Sequence, residues 1–343
     1  MERTLLWWGR SDPAYSRNGV IRTQLKALGW TLRDFQPFSS GWGDLEAFLR
    51  RIPRPSAVWV PCFRQRDLMA ASRWAHRMGV PLIFDPLISA YDKQVFERKI
   101  LTENSLRANI LLRQEQCQFS QADIVIADTS CHAAFFHEVL GVPRNKLHVV
   151  FVGAEESLFR AAPLRRRPAG EPLEVLFYGS YIPLQGVETI VEAARIYRGP
   201  PVRWRLVGEG PARSRCEKLA RGIEALSFEP PVPYGNLCGR IHRADILLGI
   251  FGETPKAGRV IPNKVFQALA SGRPVITRQS YAYPAHFEGL AFIPPGDPQA
   301  LAGQVALWGE GNLAPLAKAA REGYDHFLSS SVVKSQLETA LFF

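Results

Sequence analysis

The feature that most constrains this chain is a rhythm. Short apolar runs, β-branched or aromatic, recur roughly every 25 to 30 residues, at 4–8, 31–36, 57–61, 81–85, 124–127 and 147–152, with helical stretches between them. Runs of this kind alternating with helices indicate parallel sheets with helices on both faces. The segment 19–28 is one such helix: Ile21, Leu25 and Leu28 fall on one face and Gly29 closes the end. The rhythm stops at 161–172 (AAPLRRRPAGEP), where prolines, a glycine and a run of arginines leave no periodicity. It restarts with runs at 174–178, 203–207, 246–250, 274–277 and 291–293. The sequence therefore predicts an α/β chain of two Rossmann-like, doubly wound domains facing a central cleft at the carboxyl ends of both sheets, where such folds bind ligands. The expected boundaries are 1–160 for the first domain, 161–172 for a linker and 173–325 for the second. A closing helix, 326–343, is a candidate to pack back on the first.

Composition agrees with this division. A chain of 343 residues, 46% hydrophobic and 22% charged, has the length for about two domains and is too apolar to remain disordered. No apolar run reaches the ~18 residues of a membrane span, and the N-terminus lacks the apolar length of a signal peptide, so a cytoplasmic protein is expected. Cys62, Cys117, Cys131, Cys216 and Cys238 stand far apart without a CxxC pair, so they are expected to be buried thiols rather than a disulfide framework or a zinc site. No Asp, Glu or His cluster has ligand spacing, and no metal is expected. The formal charge of +10 implies an anionic partner: nucleotide phosphates, an anionic membrane surface or nucleic acid.

Three stretches carry chemistry. Val207-Gly208-Glu209-Gly210-Pro211 follows a strand and opens a helix, a place where glycines let backbone approach a ligand and unpaired N–H groups face an anion. The loop 179–186, with Gly179, Ser180, Tyr181, Gln185 and Gly186, is a second of the same kind. Either is also what a tight strand-to-helix turn without a ligand looks like. The third, 251–277, gathers Lys256, Arg259, Asn263 and Lys264 where a helix begins near Pro262, placing cations and a helix N-terminus at one spot, as a bound diphosphate requires. A solvated basic loop has the same composition.

Taken in order, the loop 179–186, VGEGP, Val232-Pro233-Tyr234, Ala244-Asp245-Ile246, Pro262-x-Lys264 and Ala268-x-Ala270-x-Gly272-x-Pro274-Val275 resemble the C-terminal domain of GT-B glycosyltransferases, nearest to the retaining enzymes of glycosyltransferase family 4. The stretches 84–92 and 122–129 are similar to the first domain of such enzymes, so the resemblance covers nearly the whole chain. It implies transfer of a sugar from a nucleotide diphosphate sugar to a hydroxyl acceptor, with retention and without a metal or other cofactor. The second domain would hold the donor, on Gly179, Ser180, Tyr181, Gln185, Gly208, Lys256, Arg259, Asn263, Lys264 and Gln267. Gly19 would add a backbone N–H from the first domain. The acceptor would be a hydroxyl-bearing glycan, glycolipid or lipid-linked intermediate.

The departures from that family are specific. Where its members carry an arginine and a lysine around the donor diphosphate this chain has Ser180 and Gln185, and where they carry two glutamates it has Arg259 and Gln267. These side chains still hydrogen-bond hydroxyls and phosphates, so the pocket is either rewired or inactive toward the usual donor. In the first domain, where similar enzymes place a histidine, none occurs between His76 and His132. Asp85 and Asp92 are the catalytic candidates there, able to accept a proton or steady an oxocarbenium charge; Asp85 before Pro86 is also a turn former.

Arg98, Lys99, Arg107 and Arg113 interleave with Ile100, Leu101, Ile110, Leu111 and Leu112, a face suited either to an anionic membrane or to a core helix with a solvated side. Trp74 among Arg64, Arg66, Arg73 and Arg77 leaves the same two readings. Peripheral attachment at the inner membrane face is thus an expectation. The alternative to an enzyme is a sugar-nucleotide-binding or partner subunit of a glycan assembly system. A nucleic-acid protein has only the charge in its favour, for no reading motif is present.

Overall fold

The structure is a computed structural model that describes residues 3–168 and 170–342. It divides into two compact units, one running to Val152 and including the residues from Ser330 onward, the other Gly153–Ser329.

In the first unit the strands are β1 (Arg3–Trp8), β2 (Trp30–Phe35), β3 (Ala57–Val60), β4 (Leu82–Phe84), β5 (Ile124–Ala127) and β6 (Leu147–Val149). They form a parallel six-stranded sheet in the order β2-β1-β3-β4-β5-β6. The helices between are α1 (Ser16–Ala27), α2 (Gly43–Leu49), α3 (Leu68–Met78), α4 (Leu106–Phe119) and α5 (Ser130–Glu138). Their ends follow from local chemistry. Ser105 and Thr129 accept the N–H groups of Ala108 and His132 to cap α4 and α5, and Gly79, at φ 61°, takes the left-handed turn that stops α3. Leu6, Trp8, Val58, Trp74, Phe84, Phe119 and Phe136 form the core. Trp74 is thus a core residue, and the surface reading of it is closed.

The second unit has β7 (Leu173–Tyr178), β8 (Val202–Val207), β9 (Leu226–Glu229), β10 (Ile246–Leu248), β11 (Val275–Arg278) and β12 (Leu290–Ile293), again parallel, in the order β12-β11-β10-β7-β8-β9. Around them lie α6 (Val187–Ile196), α7 (Arg213–Leu219), α8 (Leu237–Arg243), α9 (Asn263–Ala270), α10 (Pro298–Glu310) and α11 (Leu313–Phe327). Both sheets are doubly wound. Their strand order reverses between β1 and β3 in the first unit and between β7 and β10 in the second, and loops leaving such neighbours in opposite directions open a crevice.

Two expected boundaries shift. The units part at Val152 and Gly153, ahead of the 161–172 stretch, because the buried Arg273 guanidinium donates to the carbonyls of Ala162 and Pro163 at 2.6 and 3.2 Å and fastens that stretch to the second unit. The last helix, α12 (Ser330–Ala340), counts with the first unit, where the Gln336 side chain accepts the Phe151 N–H at 2.9 Å. The thiols are less uniform than expected: Cys62 and Cys216 are buried, but Cys117 is exposed.

Candidate functional site

In the second unit the crevice between β7 and β10 is where five of the sequence-predicted donor residues, Gly179, Gln185, Gly208, Lys264 and Gln267, come together. Lys264, the second residue of α9, is buried and sends its ammonium 2.6 Å to the Gln185 side-chain oxygen and 3.7 Å from the centre of the Phe177 ring. Burial pushes its pKa well below the ordinary lysine range. Among the described residues no carboxylate pairs with it. Gly179 lies against the same ammonium: a Cβ there would stand 2.9 Å from Lys264 Nζ, at a φ of +152° that side chains avoid. Behind it, a Cβ on Gly208 would reach within 2.0 Å of the Gly179 carbonyl oxygen, so both glycines are required for the two loops to nest. No side chain caps α9, whose first residue is Asn263, and of its first N–H groups that of Val265 is taken by the Pro262 carbonyl at 2.9 Å.

Gln267 lies one turn along α9. Its side-chain oxygen accepts the Tyr178 hydroxyl at 2.9 Å, its amide nitrogen donates to the Tyr234 hydroxyl at 3.2 Å, and Tyr234 in turn donates to Glu155. An amide suits this relay because it accepts at one end and donates at the other. A glutamate would accept at both and compete with Glu155 for the Tyr234 proton. The glutamine that replaces the family's carboxylate is therefore integrated into its surroundings. Tyr178 and Tyr234 enter the sequence reading only as the end of a strand run and as part of the motif Val232-Pro233-Tyr234, without a role of their own.

Other predicted residues scatter. Tyr181 is a core side chain whose hydroxyl donates to the Leu206 carbonyl, and its own N–H is taken by the Glu209 carbonyl at 2.9 Å. Ser180 is exposed on a cavity of about 270 Å³ lined by Tyr178, Gly179, Gly208, Glu209 and Val232 among others. Lys256, on the short turn Pro255–Gly258, is buried beside Ala257, which packs on Leu184 and Ile250, and Arg259 is half-buried just after it. Gly19 is not the opening of a helix. It sits inside α1, and its N–H is already donated to the Tyr15 carbonyl at 2.9 Å.

The first unit gathers charge differently. Asp85, at the end of β4, is fully buried and receives a two-pronged bond from Arg17 at 3.0 and 3.1 Å; Arg17 also donates to the carbonyls of Val150 and Phe151. Burial, only partly offset by Arg17, raises the Asp85 carboxyl. Asp92 is buried at the start of the π-helical turn Asp92–Glu97, 3.5 Å from the outer nitrogen of His132, whose inner nitrogen bonds Asp128. Burial works against the charge on His132, but Asp128 and Asp92 outweigh it and hold the imidazole at about 9. Ser89 and the N–H groups of Ala90 and Tyr91 all bond Glu115.

Asp85 and Asp92, the catalytic candidates of the sequence, are thus both sealed from solvent and engaged within their own unit. The next histidine in the chain is His132, in α5 after β5, and it is as fully buried as the two aspartates. The register pairing Phe84 with Val125 brings the ends of β4 and β5 together.

Comparison with known proteins places these observations. Residues 172–308 match the family described as Glycosyl transferases group 1. The candidate colanic acid biosynthesis glycosyltransferase WcaL of Escherichia coli K12 is 27% identical over 239 residues, 65% of this chain and 57% of that protein, so the chain spans little more than half the length of this relative. Among solved structures, Anabaena HepE in complex with UDP-glucose superposes with a TM-score of 0.68 at 14% identity, over 98% of this chain and 99% of that one. Sucrose-phosphate synthase from Thermosynechococcus elongatus does so with a TM-score of 0.73 at 18% identity, over 98% of both. The second unit is thus similar in sequence to the group 1 glycosyltransferases, and both units have the Rossmann-like fold of the GT-B architecture.

Proposed function

We propose that this chain moves a sugar from a nucleotide diphosphate sugar to a hydroxyl on a glycan, glycolipid or lipid-linked acceptor, the second unit holding the donor and the first the acceptor. Retention of configuration, hexosyl transfer without a metal and kinship with family 4 are parts of the same proposal and rest on the resemblance in sequence; work at an anionic membrane surface is a further part and rests on the charge and on the basic, apolar stretch 98–113. The observation that carries it is Lys264, a buried ammonium with only a neutral amide and aromatic rings for partners, set beside a glycine backbone and an uncapped helix N-terminus at the strand-order reversal. A cation so placed lacks an anion. As the bond from sugar to diphosphate breaks, negative charge grows on the leaving oxygens, and an ammonium and oriented N–H groups fixed in advance stabilise it without rearrangement.

In this reading Arg259 and Lys256 add cations on the adjoining loop, and the Gln267 relay orients donor hydroxyls. Asp85 and Asp92 are positioning residues that hold the loop after β4. The test is calorimetric titration with UDP, GDP and ADP, together with incubation with labelled nucleotide sugars. Binding of one diphosphate and slow hydrolysis of its sugar are expected. Binding without turnover would favour the partner-subunit reading, to which Ser180, Gln185, Arg259 and Gln267 in place of the family's ionised side chains lend weight. No binding of any of the three would reject both.

A further inference from the structure

The short helix α2 is built inside out. Gly43, Asp44 and Ala47 face the core, whereas Trp42, Leu45, Phe48 and Leu49 share the opposite face and, with Phe38 on the preceding loop, are 47% to 82% exposed. A lone exposed leucine needs no explanation, but five large apolar side chains within twelve residues do.

The ridge is also held rigid. Arg73 forks onto Asp44 at 2.7 and 2.9 Å and donates to the Gly41 carbonyl at 2.7 Å, while the Glu46 carboxylate accepts the Phe38 N–H at 2.7 Å. These bonds fix an apolar surface that water disfavours, which is the arrangement of a surface prepared for a partner.

The charges around it choose the partner. The ridge's own carboxylates are occupied, Asp44 by Arg73 and Glu46 by Arg50 as well as by Phe38. Arg50 and Arg51 follow α2 on its exposed side, and the Arg50 guanidinium lies 5.8 Å from the Phe38 ring. Through Ser40, which bonds Arg64 at 3.3 Å, the ridge runs toward a cavity of about 490 Å³ lined by Arg64, itself bonded to Asp67, with Arg66, Lys93, Arg98, the buried Glu115 and the exposed Ile100. An aromatic and aliphatic ridge rimmed by arginines matches the boundary of an anionic bilayer, where indole and phenyl rings sit at headgroup level and cations meet lipid phosphates. The expected stretch 98–113 contributes less than its composition suggests, because Leu101, Leu111 and Leu112 pack partly on the core and leave Ile100, Leu106 and Ile110 exposed.

From this geometry we infer that the Phe38 to Leu49 ridge docks the first unit on an anionic lipid bilayer. The inference rests on the part of the functional reading that puts the chain at a membrane, and names the surface that does it. The test is co-sedimentation with phosphatidylcholine vesicles with and without phosphatidylglycerol, comparing the parent with a Trp42→Ser, Phe48→Ser double variant. The parent should pellet with the anionic vesicles alone, and the variant should bind them at least about tenfold more weakly with its thermal midpoint unchanged. Since Trp42 is exposed and the core tryptophans are not, its emission should shift to the blue on binding, a change that Trp42→Phe abolishes. Negligible binding of the parent, or parent-like binding of the variant, overturns the inference. So does a parent dimer in sedimentation velocity that the variant dissolves, for then the ridge pairs with a second copy. Nucleotide titration of the same samples reads the second unit separately, so failure of the docking surface is distinguishable from failure of the donor site.

Discussion

Both units carry buried charge, and the second holds one that is treated differently from the rest. In the first, each buried charge meets a countercharge or a set of donors: Arg17 with Asp85, His132 with Asp128 and Asp92, Glu115 with Ser89 and two N–H groups. In the second, Arg273 meets a set of carbonyls and Asp245 meets Arg167 and the Glu174 N–H, but Lys264 is desolvated beside a neutral amide and aromatic rings. Charges balanced within a unit fasten loops to it. A charge left with only neutral partners costs stability until an anion arrives. Where buried charges balance, structural roles follow; where one does not, a ligand does.

The hardest test of this contrast is Asp85→Ala. Removing one partner of a buried pair leaves Arg17 uncompensated, so the first unit should lose about 3–5 kcal/mol in urea unfolding while nucleotide affinity in the second stays unchanged. A variant of parental stability whose turnover nonetheless falls by about 100-fold would break the contrast and return Asp85 to the chemistry.

The next effect depends on pH. Against the opposing effect of burial, Asp128 and Asp92 push the His132 imidazole up to about 9, above its ordinary value near 6.5. A raised pKa contributes stability that is complete below the unfolded value and is lost as pH rises through the folded one. The first unit should therefore weaken between about pH 6.5 and 9, by roughly 3 kcal/mol in all. His132→Gln should flatten that slope, and an unchanged slope would show that the Asp92–His132–Asp128 cluster does not carry it.

Lys264 should behave in the opposite sense. Lys264→Ala should weaken binding of the nucleoside diphosphate by about tenfold or more, as expected for a charge-assisted bond of roughly 1.5–3 kcal/mol. Lys264→Met should leave the fold as stable as the parent or more so, because it removes a desolvated ammonium and keeps its length. Because burial lowers the lysine pKa, binding an anion should draw in a proton, and affinity should fall as pH rises in the parent but not in Lys264→Met. A Lys264→Met variant that unfolds readily and binds normally would make Lys264 a structural residue like those of the first unit.

Much of this was legible in the sequence, for a physical reason. Apolar runs report burial on both faces of a parallel strand, so eleven strands stand where the runs predict them. The twelfth, β9, was missed because Leu226-Ser227-Phe228-Glu229 alternates and owes its extension to pairing with β8. Lys264, Gly179 and Gln185 were found because a helix start and a glycine loop carry local signals. His132 and Arg17 were not, since what makes them notable is the partner each meets across the sheet, Asp92 for one and Asp85 for the other, far away in sequence. The ridge was missed for a related reason: Trp42, Leu45, Phe48 and Leu49 have the spacing of a core helix, and which face the fold covers is not a local property.

The smallest expected effect concerns Ser180, where the resembling enzymes carry an arginine. The position is exposed at the rim of the cavity beside Gly179, so a cation there would be solvated and screened, unlike Lys264. Ser180→Arg should tighten nucleotide binding by only about two- to fivefold at low salt, in line with the 0.2–1 kcal/mol of exposed ion pairs, and the gain should vanish in high salt. A gain of 100-fold that survived salt would mean that the crevice closes over this position when the donor binds, and that Ser180 marks a lost anion contact. No gain at either salt concentration would mean that the phosphates lie deeper, against the buried ammonium of Lys264 and the start of α9.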